Sequence, residues 1–228
     1  MSALTPLSAR LALAFTPTEA RGAVTALDTL AQEIRVSLAE GLDHTVAHTR
    51  LVWWRDEVAR LANGTPLHPV SRALHAAAPA ARYQRLEALI IACEFVLAGH
   101  QPANEAERAA LYGRMYGAVE ALRCELIEGV AQPHVETFAT RLAEVLGHAE
   151  LAELSLFDER TAALAALRSA LVALNASITG ARGERHGLVV AGLLAHRLTP
   201  TGLTPEPAPL RALYLAWRTA RRHRLEIA

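Results

Sequence analysis

Apolar side chains recur every three or four residues along almost the whole chain, whereas the strict alternation that marks a half-buried β-strand is nearly absent. A period near 3.6 residues places the apolar groups on one face of a helix. With 228 residues, 52% of them hydrophobic, the chain can bury one sizeable core and is too apolar for a disordered protein. The pattern therefore predicts a single all-α domain, a bundle of about eight to ten helices.

Capping and breaking residues divide this pattern into helices. Thr16-Pro17 starts the first helix, Asp43 caps the second, and Asn63-Gly64 ends it, because glycine accepts the left-handed conformation found at helix ends. Asn104 caps a later helix. The predicted helices cover residues 17–40, 43–63, 69–77, 80–98, 104–128, 133–150, 158–177, 184–198 and 207–224.

Residues 199–209 form the one linker-like stretch, rich in proline and threonine. The helix behind it, within residues 210–226, is too small to be a domain and is expected to dock back on the body. We therefore treat residues 1–228 as one domain.

The charge composition removes several classes of function. All 23 basic residues are arginine, so the absence of lysine excludes a Walker-type phosphate loop, a Schiff-base lysine and pyridoxal phosphate attachment. The 23 acidic residues bring the formal net charge to 0, which provides no general field to gather nucleic acid. No nucleic-acid partner is expected.

The compartment is predicted to be the cytoplasm, since the N-terminus lacks the signal-peptide pattern and the two cysteines, Cys93 and Cys124, suit small core residues. The most apolar windows, Leu86–Ala98 and Leu188–Ala195, are shorter than the roughly 20 residues of a membrane-spanning helix. A peripheral membrane contact stays open.

That contact would involve the last helix, which carries Arg218, Arg221, Arg222 and Arg224. One interpretation is that these cations complement the negative end of the helix dipole. The other is that they bind an anionic lipid surface, because they exceed what helix capping needs.

Acidic residues offer only weak candidates for a metal site. The chain has four aspartates, no two within one helical turn, so it contains no DDxxD or DxxxD cluster. Glu150 and Glu153 share a helix face, a spacing more typical of a solvated surface than of magnesium ligands. No metal or other cofactor is predicted from these residues alone.

Two of the three tryptophans, Trp53 and Trp54, lie between Arg50 and Arg55. The indoles are either core anchors flanked by ion pairs or the wall of a cleft in which Arg50 or Arg55 binds an anion.

The segment Arg50-Leu-Val-Trp-Trp-Arg-Asp-Glu-Val58, followed by His68-Pro-Val-Ser-Arg-Ala-Leu74, resembles the squalene/phytoene synthase family. It is most similar to the short, divergent branch that includes the mitochondrial complex I assembly factor of this fold. Weaker similarity extends over most of the chain, in residues 15–27, 86–97, 112–129, 146–149 and 209–218. The resemblance implies an isoprenoid-synthase fold, a helical bundle around a central cavity. Active members condense two prenyl diphosphates head to head, using magnesium and two aspartate-rich motifs.

This chain departs from both motifs. By register, Arg35 and Val36 stand where the resemblance places the first aspartate pair, and a guanidinium cannot replace a carboxylate as a magnesium ligand. Near the second motif only Asp158 is in register, with Ala162 where its partner is expected. The resemblance therefore implies a family member with eroded motifs.

Three functions stay open at this point. The favoured one is a non-catalytic or altered member that binds a prenyl-type ligand or a protein partner, with Arg35, Arg50, Arg55 and Arg114 as candidate diphosphate contacts. A magnesium-dependent prenyltransferase on C15 or C20 diphosphates is the alternative, with Asp158, Glu153 and Glu150 as the surviving candidate metal ligands. The last is an unrelated helical interaction module.

Overall fold

The computed structural model describes residues 6–39, 41–129, 133–155 and 157–227, and within these ranges the chain is helical with no strand, as the periodicity predicts. A lone bridge joins Leu198 and Leu203. The helices are α1 (Pro6–Ala14), α2 (Arg21–Arg35), α3 (His44–Ala62), α4 (Pro69–Ala77), α5 (Leu86–Leu97), α6 (Glu105–Tyr112), α7 (Ala118–Glu128), α8 (Pro133–Leu154), α9 (Phe157–Ala176), α10 (Glu184–Arg197) and α11 (Pro209–Arg222).

Several predicted helix boundaries are confirmed by the caps that define them. The Asp43 carboxylate accepts hydrogen bonds from two N–H groups in the first turn of α3, and Gly64 follows that helix with a φ of 77°. The Asn104 side chain caps α6 by accepting from the Glu107 N–H at 2.9 Å. His68 also caps α4, ahead of Pro69 at its first position.

Other boundaries differ from the predictions. The first predicted helix is shorter, because α2 starts at Arg21 and gives way to a 3₁₀ turn over Val36–Leu38; Glu40 lies outside the described residues. The helix predicted from residue 80 begins at Leu86, after a 3₁₀ turn over Tyr83–Arg85. The sequence does not predict helix α1, which precedes the first strong start signal.

The helix predicted over 104–128 is interrupted by one π-helical turn over Gly113–Gly117. A π turn pairs each carbonyl with the N–H five residues on, so it shifts the register of the hydrogen bonds and re-aims the side chains of that turn. Apolar periodicity continues through the interruption, which is why the sequence does not predict it.

The contacts within the chain divide it into two compact units. The first, Met1–Pro17 with Ala131–Ala228, contains α1 and α8–α11; α8 packs along α9, and α11 packs on α10 and α1. Residues 198–208 fold back on the end of α10, where Arg197 and Thr204 exchange two hydrogen bonds of 2.8 Å.

The second unit, Thr18–Val130, contains α2–α7. In it α2 packs against α4 and α7, α3 against α5, and α5 against the π turn. Its core is made of fully buried leucines and isoleucines of these helices together with Trp54, Tyr83 and Cys93. The treatment of residues 1–228 as one domain stays a prediction, as does the central cavity implied by the resemblance.

Candidate functional site

The π turn supplies the first element of the candidate site. Arg35, in the last turn of α2, donates a hydrogen bond from Nη2 to the Met115 carbonyl at 2.8 Å. Its guanidinium also lies over the Tyr116 ring, 5.3 Å from the ring centre. A planar cation can satisfy a carbonyl and an aromatic face together. Arg35 therefore joins the end of α2 to the π turn.

Helix α5 passes beside the same contact. Its Cys93 thiol is buried, which raises its pKa to about 12, while the nearby positive charge of Arg35 acts in the opposite direction. A neutral, inaccessible thiol is a poor nucleophile. Cys93 is consequently a core residue, as its sequence context predicts.

Two further arginines contact consecutive residues at the outer side of α5. The Nη2 atom of Arg55, from α3, is 2.5 Å from both carboxylate oxygens of Glu94. The Arg114 guanidinium, from the π turn, lies 5.4 Å from the centre of the Phe95 ring. Both arginines are exposed. Together with Arg35, which contacts the two residues after Arg114, they form a group that we call the arginine cluster.

The arginine cluster adjoins exposed apolar side chains. Ile91 and Phe95, four residues apart on α5, expose 39% and 36% of their surfaces. Residues at this spacing are neighbours on one helix face. The cluster therefore combines cations with an apolar strip, a combination that suits an amphipathic anion.

The fourth candidate arginine, Arg50, is not part of the cluster. Its Nη2 atom lies 3.9 Å from the Glu33 carboxylate, in a half-exposed pair. Of the neighbouring tryptophans, Trp54 is buried and Trp53 exposes 41% of its surface. The two indole rings pack edge to face with their centres 4.8 Å apart, and both contact the His68 ring. The core interpretation holds for Trp54, while Trp53 lies at the surface.

A buried carboxylate holds this tryptophan region together. Glu57 is fully buried and accepts hydrogen bonds from the backbone N–H groups of Leu67 and His68 at 2.9 and 2.7 Å. It also accepts from Nε of Arg60 at 2.9 Å. Glu57 thus fixes the loop between α3 and α4, a role that the segment Arg50–Val58 does not reveal by sequence alone.

A buried ion network, also missed by sequence reasoning, lies where α2 faces α7. Arg123 is almost fully buried and forms ion pairs with Asp28 of α2 at 2.5 Å and with Glu120 of its own helix. Asp28 and Arg35 are seven residues apart, on one face of α2. On this face, Asp28 is therefore engaged by α7 and Arg35 by the π turn that precedes α7. The only sequence signal was the spacing of three between Glu120 and Arg123.

The acidic candidates lie in the other unit. Glu153 forms an ion pair with Arg197 at 3.1 Å, so its charge is already compensated. Glu150 is half-buried, and the Asp158 side chain lies outside the described residues. Within the described ranges, no three histidine, cysteine, aspartate or glutamate side chains come together as metal ligands.

Comparisons with known proteins bear on these observations. The model of the squalene/phytoene synthase family matches residues 8–161, which is more than half of the chain. A solved structure of a dehydrosqualene synthase in complex with ligand superposes with a TM-score of 0.71 and 11% sequence identity, covering 96% of this chain and 93% of that one. No curated protein sequence matches this chain. Across the described residues, no helix is both long and apolar enough to span a bilayer.

Proposed function

Because the chain belongs to the squalene/phytoene synthase family, we propose that it is a non-catalytic member that binds a prenyl diphosphate-type ligand without magnesium. The observation that carries the proposal is the position of Arg35. This residue stands where the first aspartate pair is expected, and it contacts the π turn that carries Arg114, while Arg55 and Arg114 contact consecutive residues of α5.

The chemistry at this position argues against condensation. Magnesium binds carboxylate oxygens, and a guanidinium both lacks acceptor atoms and repels the ion. Loss of an allylic diphosphate leaving group depends on charge stabilisation, to which a metal ion contributes several kcal/mol. With Arg35 and Val36 at the positions expected for the aspartates, the chain retains the means to bind a diphosphate more easily than the means to ionise it.

The same residues favour recognition of an anion. Guanidinium groups bind phosphate oxygens through two parallel hydrogen bonds, which needs no metal. Arg55 and Arg114 are exposed. The Glu94 carboxylate accepts hydrogen bonds from the Arg55 guanidinium, in the same way as the oxygens of a diphosphate would. The strip of Ile91 and Phe95 offers apolar contact to the first isoprene units. The ligand would displace Glu94 from Arg55.

The proposal is tested by calorimetry with a non-hydrolysable farnesyl diphosphate analogue, in EDTA and then in magnesium. We expect binding of similar affinity in both buffers. Arg55→Gln and Arg114→Gln should each weaken it about tenfold, the loss of one charge-assisted contact. Glu94→Gln should strengthen it, because the internal competitor is removed. The matched control is Arg108→Gln, which removes a half-exposed, ion-paired arginine of α6 and should leave binding unchanged.

Two results would overturn the proposal in favour of the prenyltransferase alternative. One is analogue binding only with magnesium. The other is pyrophosphate release from farnesyl diphosphate that is abolished by Asp158→Ala, since that aspartate is the one in register with the second motif.

A protein partner is the second candidate ligand. It is favoured by Trp53 and Leu67, which expose 41% and 63% of their surfaces in the same unit. Tryptophan is enriched among the residues that contribute most of the binding energy at protein interfaces. A folded protein that binds no analogue in either buffer would favour this candidate, and Trp53→Ser would then be the variant to test in partner capture.

A further inference from the structure

Helix α11 packs on its own unit through its smallest side chains. Ala212, Ala216 and Ala220, spaced by four residues, are its buried face. The helix lies close to α10 at Gly192. A methyl group added to this glycine would come within 2.6 Å of Oγ1 of Thr219 on α11. Alanine contributes little apolar area, and apart from Leu215, which is half-buried beside α10, the larger apolar groups of α11 are left for another surface.

Those larger groups are exposed. Leu210, Leu213, Tyr214 and Trp217 expose 84%, 46%, 53% and 44% of their surfaces. Their spacing of three, four and seven residues places them on one face of the helix. Tryptophan and tyrosine have an apolar body with a polar edge, which suits the boundary between water and acyl chains. We call these four residues the outer face of α11.

Arginines border the outer face. Residues 209–227 contain five arginines and one acidic residue, Glu226. The guanidinium of Arg221 lies 5.3 Å from the centre of the Trp217 ring, directly beside the apolar groups. Arginine can cover apolar surface with its stem while its charged end reaches phosphate oxygens. The charge next to the outer face is therefore complementary to an anionic surface.

Glu226 acts as an internal counter-ion for this region. It accepts from Nε of Arg218 at 2.7 Å and from Nη1 of Arg222 at 2.9 Å. A cavity of about 390 Å³ lies at this place, lined by Arg218, Arg224 and Glu226 together with His196 of α10. An external phosphate would compete with the Glu226 carboxylate for the same guanidinium groups.

We propose that the outer face of α11 docks on an anionic lipid bilayer, with Leu210, Tyr214 and Trp217 in the interface and the neighbouring arginines on lipid phosphates. The arrangement matches a helix that lies in the membrane plane, where apolar burial and attraction to anionic lipid add together. Phosphate groups then replace Glu226 as partners of Arg218 and Arg222. This inference is independent of ligand binding at the arginine cluster, which lies in the other unit.

The test is co-sedimentation of the full chain with vesicles of phosphatidylcholine alone and of phosphatidylcholine mixed with phosphatidylglycerol. We expect binding to the mixed vesicles that weakens as salt is added, and little binding to the neutral ones. Arg221→Gln should weaken binding about fivefold, which is the contribution that one arginine near an anionic membrane surface makes to the affinity. The double variant Leu210→Ser with Trp217→Ser should weaken it at least about tenfold, because apolar insertion is lost.

Two further variants distinguish docking through α11 from non-specific adsorption of exposed apolar side chains to the vesicles. Glu226→Gln should strengthen binding to mixed vesicles, an effect that damage to the fold would not produce. The matched control Leu154→Ser removes an apolar side chain of α8 that is 62% exposed, and it should leave binding unchanged. Circular dichroism confirms that each variant is folded.

Three results would overturn the inference. The first is absence of binding to mixed vesicles by folded protein. The second is equal binding to both vesicle types, since the arginines would then have no role. The third is a dimer in sedimentation velocity that dissociates in the Leu210→Ser, Trp217→Ser variant, which would assign the outer face to a second copy of the chain.

Discussion

Arginine has opposite surroundings in α7 and in α11. On α7, Arg123 is almost fully buried and lies between Asp28 and Glu120. Burial by itself lowers the pKa of its guanidinium, but the two negative charges outweigh burial and raise the pKa above its usual value. On α11, Arg221 is exposed and its contact is the face of Trp217. A buried cation must have its partners inside the protein, whereas an exposed cation next to an aromatic group is available to an outside anion. The residue type alone therefore does not identify a binding arginine; burial and partners do.

The largest effect is expected from removing the buried cation. Arg123→Met should lower the free energy of unfolding by about 3–5 kcal/mol, because it leaves the buried Glu120 carboxylate without its partner. Urea denaturation followed by circular dichroism measures this loss. The double variant Arg123→Met with Glu120→Met should recover most of it, since an apolar pair of similar size replaces the ion pair. Equal losses in the single and double variants would contradict the role assigned to the pair.

Glu57→Gln should cost somewhat less, about 2–3 kcal/mol, because an amide binds the surrounding N–H groups more weakly than a carboxylate does. Burial by itself raises the pKa of Glu57, but the hydrogen bonds it accepts, first that from the His68 N–H, outweigh burial and the pKa lies below 4.5. A lowered pKa gives stability that is present at neutral pH and is lost as the pH falls from 4.5 towards the folded-state pKa.

Urea denaturation at a series of pH values checks this dependence. The stability difference between wild type and Glu57→Gln should be constant near neutral pH and should shrink below pH 4.5. A difference that does not change with pH would mean that the charge of Glu57 is not the source of its contribution. Asp43→Asn, at the exposed cap of α3, provides a comparison for the general effect of replacing a carboxylate with an amide.

Gly192→Ala tests whether the close contact between Gly192 of α10 and Thr219 positions α11. A methyl group there would meet Oγ1 and Cγ2 of Thr219 at 2.6 and 2.9 Å, so the variant should lose about 1–2 kcal/mol through overpacking. Thr219→Ala in the same chain should restore part of the loss. The control is Gly22→Ala in α2, where nothing lies within 4 Å and the change should be neutral or stabilising. Thermal unfolding of these three variants beside the wild type checks the set.

The sequence is informative about the helices because local rules define them. Asp43, Gly64 and Asn104 mark helix ends through their own hydrogen bonds or backbone conformation, so the boundaries near them are confirmed. The π turn over Gly113–Gly117 escapes such rules, since its apolar period stays compatible with a continuous helix. The expectation of an all-α family member is confirmed by the matched family model and by the similarity of fold.

The candidate site is less accessible to sequence reasoning, because partners distant in the chain decide what each charge does. Arg35, Arg50, Arg55 and Arg114 look equivalent as candidates, yet their partners differ: Arg50 pairs with Glu33 of α2, whereas the other three contact α5 or the π turn. Arg123 and Asp28, which carry the buried network, are 95 residues apart and gave no signal. The metal-ligand role considered for Asp158, Glu153 and Glu150 stays a prediction of the prenyltransferase alternative.

The smallest effect is expected at the arginines of α11. Arg221→Met and Arg222→Met should each change the free energy of unfolding by less than about 0.5 kcal/mol, because exposed ion pairs and surface cations contribute little in water. Measured beside Arg123→Met under the same conditions, these variants sharpen the contrast between the two helices. A loss above about 1.5 kcal/mol at either position would mean that the arginine is a structural residue like Arg123. Unchanged stability together with weaker binding to anionic vesicles would instead separate the two roles of arginine, since the cation would then matter only when an outside anion is present.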